Sequence, residues 1–394
     1  MDARETTRRY DLDWLRVLAI LAIFVFHCTR AFDTDDWSLK NPTTYLTVTM
    51  WKEFAISWGM PLILIISGCS AFLALEKVRP GKYVKGLFLR LFVPLMVGMF
   101  THVALQVYLE NLQKGNFSGS FFAFYPHYFD GMYGFGGNFA WMGLHLWYLE
   151  LLFIVSLLCL PLFAWFKYTQ IGRRTLKGLG DFLTLPGAVF LLAVPAILLI
   201  TRLDEESWGN QSLGGWSVFI YPLFYIGGYV ILSSQRLQER IIQMRWISLG
   251  LGLVLSPVHL FFEFQTRYPA VDSLADKLAD PLICVVVWCW LLAVLGFGMK
   301  HLNFNTPFLK YANEAVLPFY ILHQSVIVCL GYFVLQWAIP DLLKFLIILS
   351  GSFLATIGIY EFLIRRHNAL RFLFGMKLLP KASVAQPHLE PSHP

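Results

Sequence analysis

Long apolar runs and short polar breaks alternate along this chain. An α-helix needs about 17–25 predominantly apolar residues to cross a bilayer. About ten such runs occur, near residues 14–32, 54–75, 87–108, 145–166, 186–203, 216–234, 246–265, 281–299, 314–337 and 341–364. Pro186 and Pro195 interrupt the fifth, which membrane helices tolerate when neighbours satisfy the freed backbone groups. The pattern predicts an all-α integral-membrane protein, a polytopic bundle of about ten transmembrane helices. One membrane domain is expected over residues 1–379, followed by a disordered tail over 380–394, rich in Pro, Ser and His.

Charge sets the orientation. With the N-terminus inside, 22 of the 31 basic residues fall in inward segments, among them Arg8, Arg9, Lys85, Arg90, Arg173, Arg174, Arg240 and Arg366. Seven fall in outward segments, where Asp33, Asp35, Asp36, Asp204, Glu205 and Glu206 gather. This is the positive-inside pattern, so both termini are expected in the cytoplasm. The first run follows a basic stretch, as a signal peptide would. No small-x-small site follows it, and Arg16 leads directly into its core, so it is expected to remain as a span.

Composition agrees with a membrane domain. Charged residues are 14% of the chain, against about 25% in an ordinary soluble protein. The net charge of +6 is spread over short clusters between apolar runs, so no nucleic-acid partner is expected and the lipid bilayer is. All six cysteines lie inside apolar spans. None has metal-ligand spacing, so no metal site is expected, and they read as small core hydrophobes. The longest outer loop, 109–144, is rich in Phe, Tyr and Gly. Its aromatics suit either stacking on sugar rings or lying at the membrane interface.

Candidate chemistry starts on the first span, with Arg16 and His27. Eleven residues are about three helical turns, so the two share a face roughly 16 Å apart along the axis. Titratable groups inside a membrane point to function by default. Arg90 opens the third span, with Lys85 before it. Arginine suits phosphate, through its planar fork of donors. Imidazole suits removal of a proton from a hydroxyl near neutral pH. The spacing resembles the reach of a pantetheine arm. A coenzyme A thioester held by its phosphates inside would present its acyl carbon near His27.

Several motifs then carry a resemblance. They are Arg16-(ten residues)-His27 after Leu12-Asp13-Trp14-Leu15, Ile66-Ser67-Gly68, Arg90-x-x-x-Pro94, His145-Leu-Trp147-Tyr148 and Tyr320-Ile-Leu-His323. In this order they resemble the bacterial membrane acyltransferase-3 family, whose members O-acetylate surface polysaccharides or succinylate periplasmic glucans. The resemblance implies a multi-pass protein of the bacterial cytoplasmic (inner) membrane. It implies a cytoplasmic acyl-CoA donor, with no other cofactor bound, and a glycan or lipid-linked sugar as acceptor. It makes His27 the catalytic base and Arg16 its partner. Where the family often carries two arginines before the third span, this chain has Lys85 and Arg90.

Arg90, Lys85, His145, Trp147, Glu150, Tyr320 and His323 are the expected substrate- or donor-binding residues. His145 and Glu150 stand five apart and so do not share a helix face. Glu150 either lines the site or is a neutralised or paired structural group. His102 and His259 are expected as core groups. A transporter for an acidic or lipid-linked molecule is the second reading, since intramembrane His, Glu and Arg suit one. Against it, the proline-broken fifth span has no counterpart in the other half.

Overall fold

A computed structural model describes residues 8–202, 217–266 and 274–380. The expected tail beyond Pro380, and the polar cap around Asp204 and Glu205, lie outside the described residues. The rest is helix and loop, with no strand beyond isolated bridges among the described residues.

In chain order the helices are α1 (Tyr10–Thr29), α2 (Leu46–Lys77), α3 (Pro80–Leu87), α4 (Val93–Phe100), α5 (His102–Lys114) and the short α6 (Phe121–Phe124). Then follow α7 (Trp147–Tyr168), α8 (Gln170–Leu183), α9 (Val194–Ile200), α10 (Tyr221–Ser233) and α11 (Gln235–Thr266). The last are α12 (Leu274–His301), α13 (Pro307–Val334), α14 (Asp341–Ile359) and α15 (Asn368–Leu373). Eight helical stretches among the described residues are long and apolar enough to span a bilayer, with α3, α4 and α5 forming one of them. Two shorter apolar helices, Ala188–Ile200 and Tyr221–Ser233, fall on the fifth and sixth expected runs. The first of these is short because Gly187 turns the chain at a φ of 76° and Pro195 starts α9 afresh.

α1 lies centrally, packed on α13 and α2 and more lightly on α12 and α14. α2 and α10 form a second close pair. Small residues make that approach possible, as in membrane helices generally. A methyl group on Gly228 would stand 2.1 Å from the Ile65 carbonyl oxygen. The thiol of Cys69 meets the Gly228 carbonyl at 3.2 Å. All the cysteines are free, and five of the six are buried.

The long loop after α5 is built on its own aromatics. Tyr128 is fully buried, with its hydroxyl on the Met99 carbonyl at 2.9 Å and its ring edge-on to Phe129 and Phe139. Phe122 and Phe135 remain 86% and 72% exposed, a surface open to lipid or to a ligand. Tyr133 donates to Glu110 at 2.9 Å. Burial, and then the neighbouring Glu110 carboxylate, push its phenol above the ordinary range.

Candidate active site

α1 runs without a break or an internal proline from Tyr10 to Thr29, so Arg16 and His27 share a face roughly 16 Å apart along its axis. Arg16 is fixed by three elements. Its guanidinium meets Asp13 on its own helix at 3.1 Å, Asn313 of α13 at 3.1 Å and the Ser70 hydroxyl of α2 at 2.9 Å. Asp13 is shared with Arg8 at 2.9 Å. Arg9 pairs separately with Asp11 at 2.6 Å.

At the other end of α1, His27 enters a cluster of four histidines. Its ring centroid lies 5.0 Å from His323 of α13 and 6.4 Å from His145, just before α7. His145 and His323 are 5.3 Å apart, and His102, at the start of α5, is 6.2 Å from His145. His145 and His323 are buried, whereas His27 and His102 are half-buried. Among the described residues no three His, Cys, Asp or Glu side chains converge as metal ligands would.

Hydrogen bonds assign the protons in this cluster, because a carbonyl only accepts. His145 donates from Nε2 to the Ile321 carbonyl at 2.9 Å, and its Nδ1 faces the Gln106 amide at 3.4 Å. His323 donates from Nδ1 to the Tyr320 carbonyl at 2.6 Å. Its Nε2 is buried and without a partner, as are Nδ1 of His27 and Nε2 of His102. Gln106 is the organiser. Its amide nitrogen donates to Ser325 at 2.6 Å, and its amide oxygen accepts from Gln324 at 3.0 Å. Ser325 in turn meets Nδ1 of His102 at 2.7 Å. Leu144, next to His145, is the one non-glycine residue with positive φ among the described residues, at 50°. Such strain gathers where a side chain must be aimed.

Polar groups continue from the cluster toward Arg16. The Tyr320 hydroxyl donates to the His145 carbonyl. The Tyr148 ring stands edge-on to Tyr320 at 5.9 Å, and its hydroxyl meets Ser67 of α2 at 2.8 Å. Ser70 is one helical turn further along α2, on the same face as Ser67, and holds Arg16. A chain of side chains with polar groups therefore links the two ends of α1 through the apolar interior.

Arg90 lies at the Arg16 end, close enough for the two guanidiniums to act on one another electrostatically. The motif Arg90-x-x-x-Pro94 has a local cause. Pro94 has no N–H to give the Arg90 carbonyl, and its ring crowds that carbonyl. The helix widens there into a π-turn over Phe88–Phe92, with Val93 N–H bonded to the Phe88 carbonyl. Such single-turn bulges are frequent at functional sites. The segment after α15 passes against this turn, where a methyl group on Gly375 would stand 2.8 Å from the Arg90 carbonyl oxygen. Arg371 holds that segment through Glu314 at 2.8 Å and the Lys377 carbonyl at 2.7 Å.

Of the residues expected from the sequence, His27, His145, His323 and Tyr320 come together, and Arg16 and Arg90 neighbour one another at the other end. Three make no hydrogen bond or ring contact with the histidines. Lys85 is exposed on α3. Trp147 stacks on Tyr221 of α10 at 6.1 Å. Glu150 is half-buried, and its Oε2 has no partner. Expected only as a core group, His102 sits within the cluster. Tyr148 and Ser67 stand in the sequence motifs without an expected site role, whereas Gln106 and Ser325 belong to none of them. A polar stripe at helical spacing, His102 with Gln106 and Gln324 near His323, was the available signal.

Comparison with known proteins places this architecture. A family model for an acyltransferase domain, acyltransferase 3, matches residues 9–361. Proteins named glucans biosynthesis protein C from Salmonella heidelberg, Salmonella paratyphi B and Salmonella dublin are each 22% identical over 384 residues. Those alignments cover 96% of this chain and 97% of each relative. No solved structure matches. The chain is thus a multi-helix membrane protein belonging to the acyltransferase-3 family.

Proposed function

We propose that this protein is an integral-membrane O-acyltransferase, moving an acetyl or succinyl group from cytoplasmic acyl-CoA to a hydroxyl on an extracytoplasmic glycan. In this reading the chain spans the bacterial cytoplasmic membrane about ten times, with both termini inside. The observation that carries it is His27. It is half-buried, has an uncommitted ring nitrogen, and stands among three further histidines on the helix that carries Arg16. The relatives' name, which speaks of glucan biosynthesis, favours a glycan acceptor.

His27 takes the proton from the acceptor hydroxyl as its oxygen attacks the thioester carbonyl. The tetrahedral centre collapses with cleavage of the C–S bond. The ester remains on the glycan, and the proton passes from His27 to the departing CoA sulfur. Arg16, Arg90 and Lys85 at the other end suit the phosphates of the donor.

The test is label transfer from acetyl-CoA and succinyl-CoA into envelope glycans, in membranes carrying the wild type or folded His27→Ala. Label in the wild type that is lost in the variant is expected. Equal labelling in both removes His27 from the reaction. No label from either donor moves the weight to transport.

A further inference from the structure

Two uncommitted nitrogens in adjacent rings have a joint solution. His323 is locked as the Nδ1–H tautomer by the Tyr320 carbonyl at 2.6 Å, so its Nε2 carries a lone pair. That lone pair is buried and unmatched, a costly state for a hydrogen-bond acceptor. Around it are Phe24 and Phe319, whose rings offer no N–H, and His145, whose nitrogens are both engaged. The nearest imidazole is His27, with its ring centroid at 5.0 Å and its Nδ1 also buried and unmatched. A proton on Nδ1 of His27, directed at Nε2 of His323, satisfies both atoms. The two rings are tilted by 46° and no hydrogen bond joins these nitrogens as they stand; the contact requires the His27 ring to turn about its Cβ–Cγ bond.

We propose that His323 is the positioning residue for His27. It accepts the Nδ1–H of His27 and so fixes the lone pair of His27 on Nε2, the nitrogen left to meet the acceptor hydroxyl. When His27 takes the proton, the same contact holds the imidazolium. The direction is passed along from a backbone carbonyl: Tyr320 orients His323, and His323 orients His27. A neutral imidazole does here what a carboxylate does in other base–orienter pairs. In a membrane interior this avoids an isolated buried charge. His323 does not touch substrate. The inference rests on the reading of His27 as the base.

Two replacements separate the nitrogens of His323. Asparagine reaches about as far as Nδ1 and keeps the bond to Tyr320, but offers nothing at the Nε2 position. Glutamine carries its amide oxygen to about the Nε2 position and restores an acceptor. Steady-state label transfer with acetyl-CoA and succinyl-CoA, varied in concentration, gives kcat and KM for wild type, His27→Ala, His323→Asn and His323→Gln. Each is checked for a single species in detergent. We expect kcat to fall roughly 100-fold in His323→Asn, within the usual range for acid–base catalysis, with the donor KM unchanged. His323→Gln recovers at least about tenfold of that loss. Equal losses in Asn and Gln, or a loss carried by KM, overturn the positioning role, as does an Asn variant as active as wild type. Activity retained by His27→Ala overturns instead the reading beneath it. Should His323→Asn not fold, His323→Gln against His323→Leu makes the same comparison of acceptor with no acceptor.

Discussion

Gly68 of α2 stands so close to Tyr225 of α10 that a methyl group on it would fall 1.9 Å from the Tyr225 carbonyl oxygen. The backbones of the two helices are in contact there. The neighbouring Ser67 is thereby held where its hydroxyl meets Tyr148 at 2.8 Å. The short motif Ile66-Ser67-Gly68 thus does two jobs, one for packing and one for the polar path between Arg16 and the histidines.

Gly68→Ala is expected to be among the most damaging single-methyl changes in the chain. The atom it meets is backbone, which cannot swing aside as a side chain can. Overpacking of a tight contact costs roughly 1–3 kcal/mol and sometimes more, and this variant belongs at the top of that range. Thermal unfolding in detergent should show it. A melt unchanged from wild type would mean that α2 and α10 separate more easily than their contact indicates.

Ser67→Ala and Tyr148→Phe break one hydrogen bond from opposite sides, and the results should differ. Ser67→Ala strands the hydroxyl of buried Tyr148, at a cost of about 1–3 kcal/mol. Tyr148→Phe removes that hydroxyl and leaves Ser67, half-buried on its helix, free to turn back on a carbonyl one turn earlier. The serine variant should therefore melt lower than the phenylalanine variant. The double variant should be less destabilised than the sum of the two, and strict additivity would show the bond contributes nothing.

Gln106→Leu keeps the volume of a fully buried side chain and deletes its three polar contacts, to Ser325, Gln324 and His145. The Gln324 amide loses its acceptor, and Ser325 and His145 lose a donor. A drop of about 3 kcal/mol is expected from the stranded groups. Transfer activity should fall as well, because His145 then lacks one of its two restraints. Full activity in a folded Gln106→Leu protein would show that the orientation of His145 does not matter to the reaction.

Arg16→Lys retains the charge and loses the geometry. The guanidinium reaches Asp13, Asn313 and Ser70 at once, whereas an ammonium is a single point with freely rotating donors. Label transfer from acyl-CoA should fall at least about tenfold, since a lysine at a multidentate arginine site is not conservative. A lysine variant as active as wild type would mean that charge alone is required at this position.

Hydropathy made the helices legible, because a bilayer demands long apolar stretches whatever the rest of the fold does. Eight of the expected runs coincide with helical stretches long and apolar enough to span a bilayer, while the fifth and sixth fall on the shorter helices Ala188–Ile200 and Tyr221–Ser233. Arg16 and His27 were legible for the same reason. They lie on one helix, and helical geometry alone fixes their face and spacing. Which other helices face them was not. His102, His145 and His323 come from α5, the approach to α7 and α13, far apart in the chain, and only packing brings His145 to 6.2 Å from the His102 ring and 5.3 Å from the His323 ring. The structural environments of Trp147 and Glu150 were equally invisible, because sequence spacing places residues around one helix and says nothing of its neighbours. Nor does a sequence say which nitrogen of a histidine holds the proton. In His323 that was decided by a backbone carbonyl three residues earlier. The sequence by itself determined the apolar helical stretches and the Arg16–His27 helix, because these depend on residues adjacent in the chain. The tertiary structure decided the histidine cluster and the polar path to Arg16, because these depend on which helix faces touch.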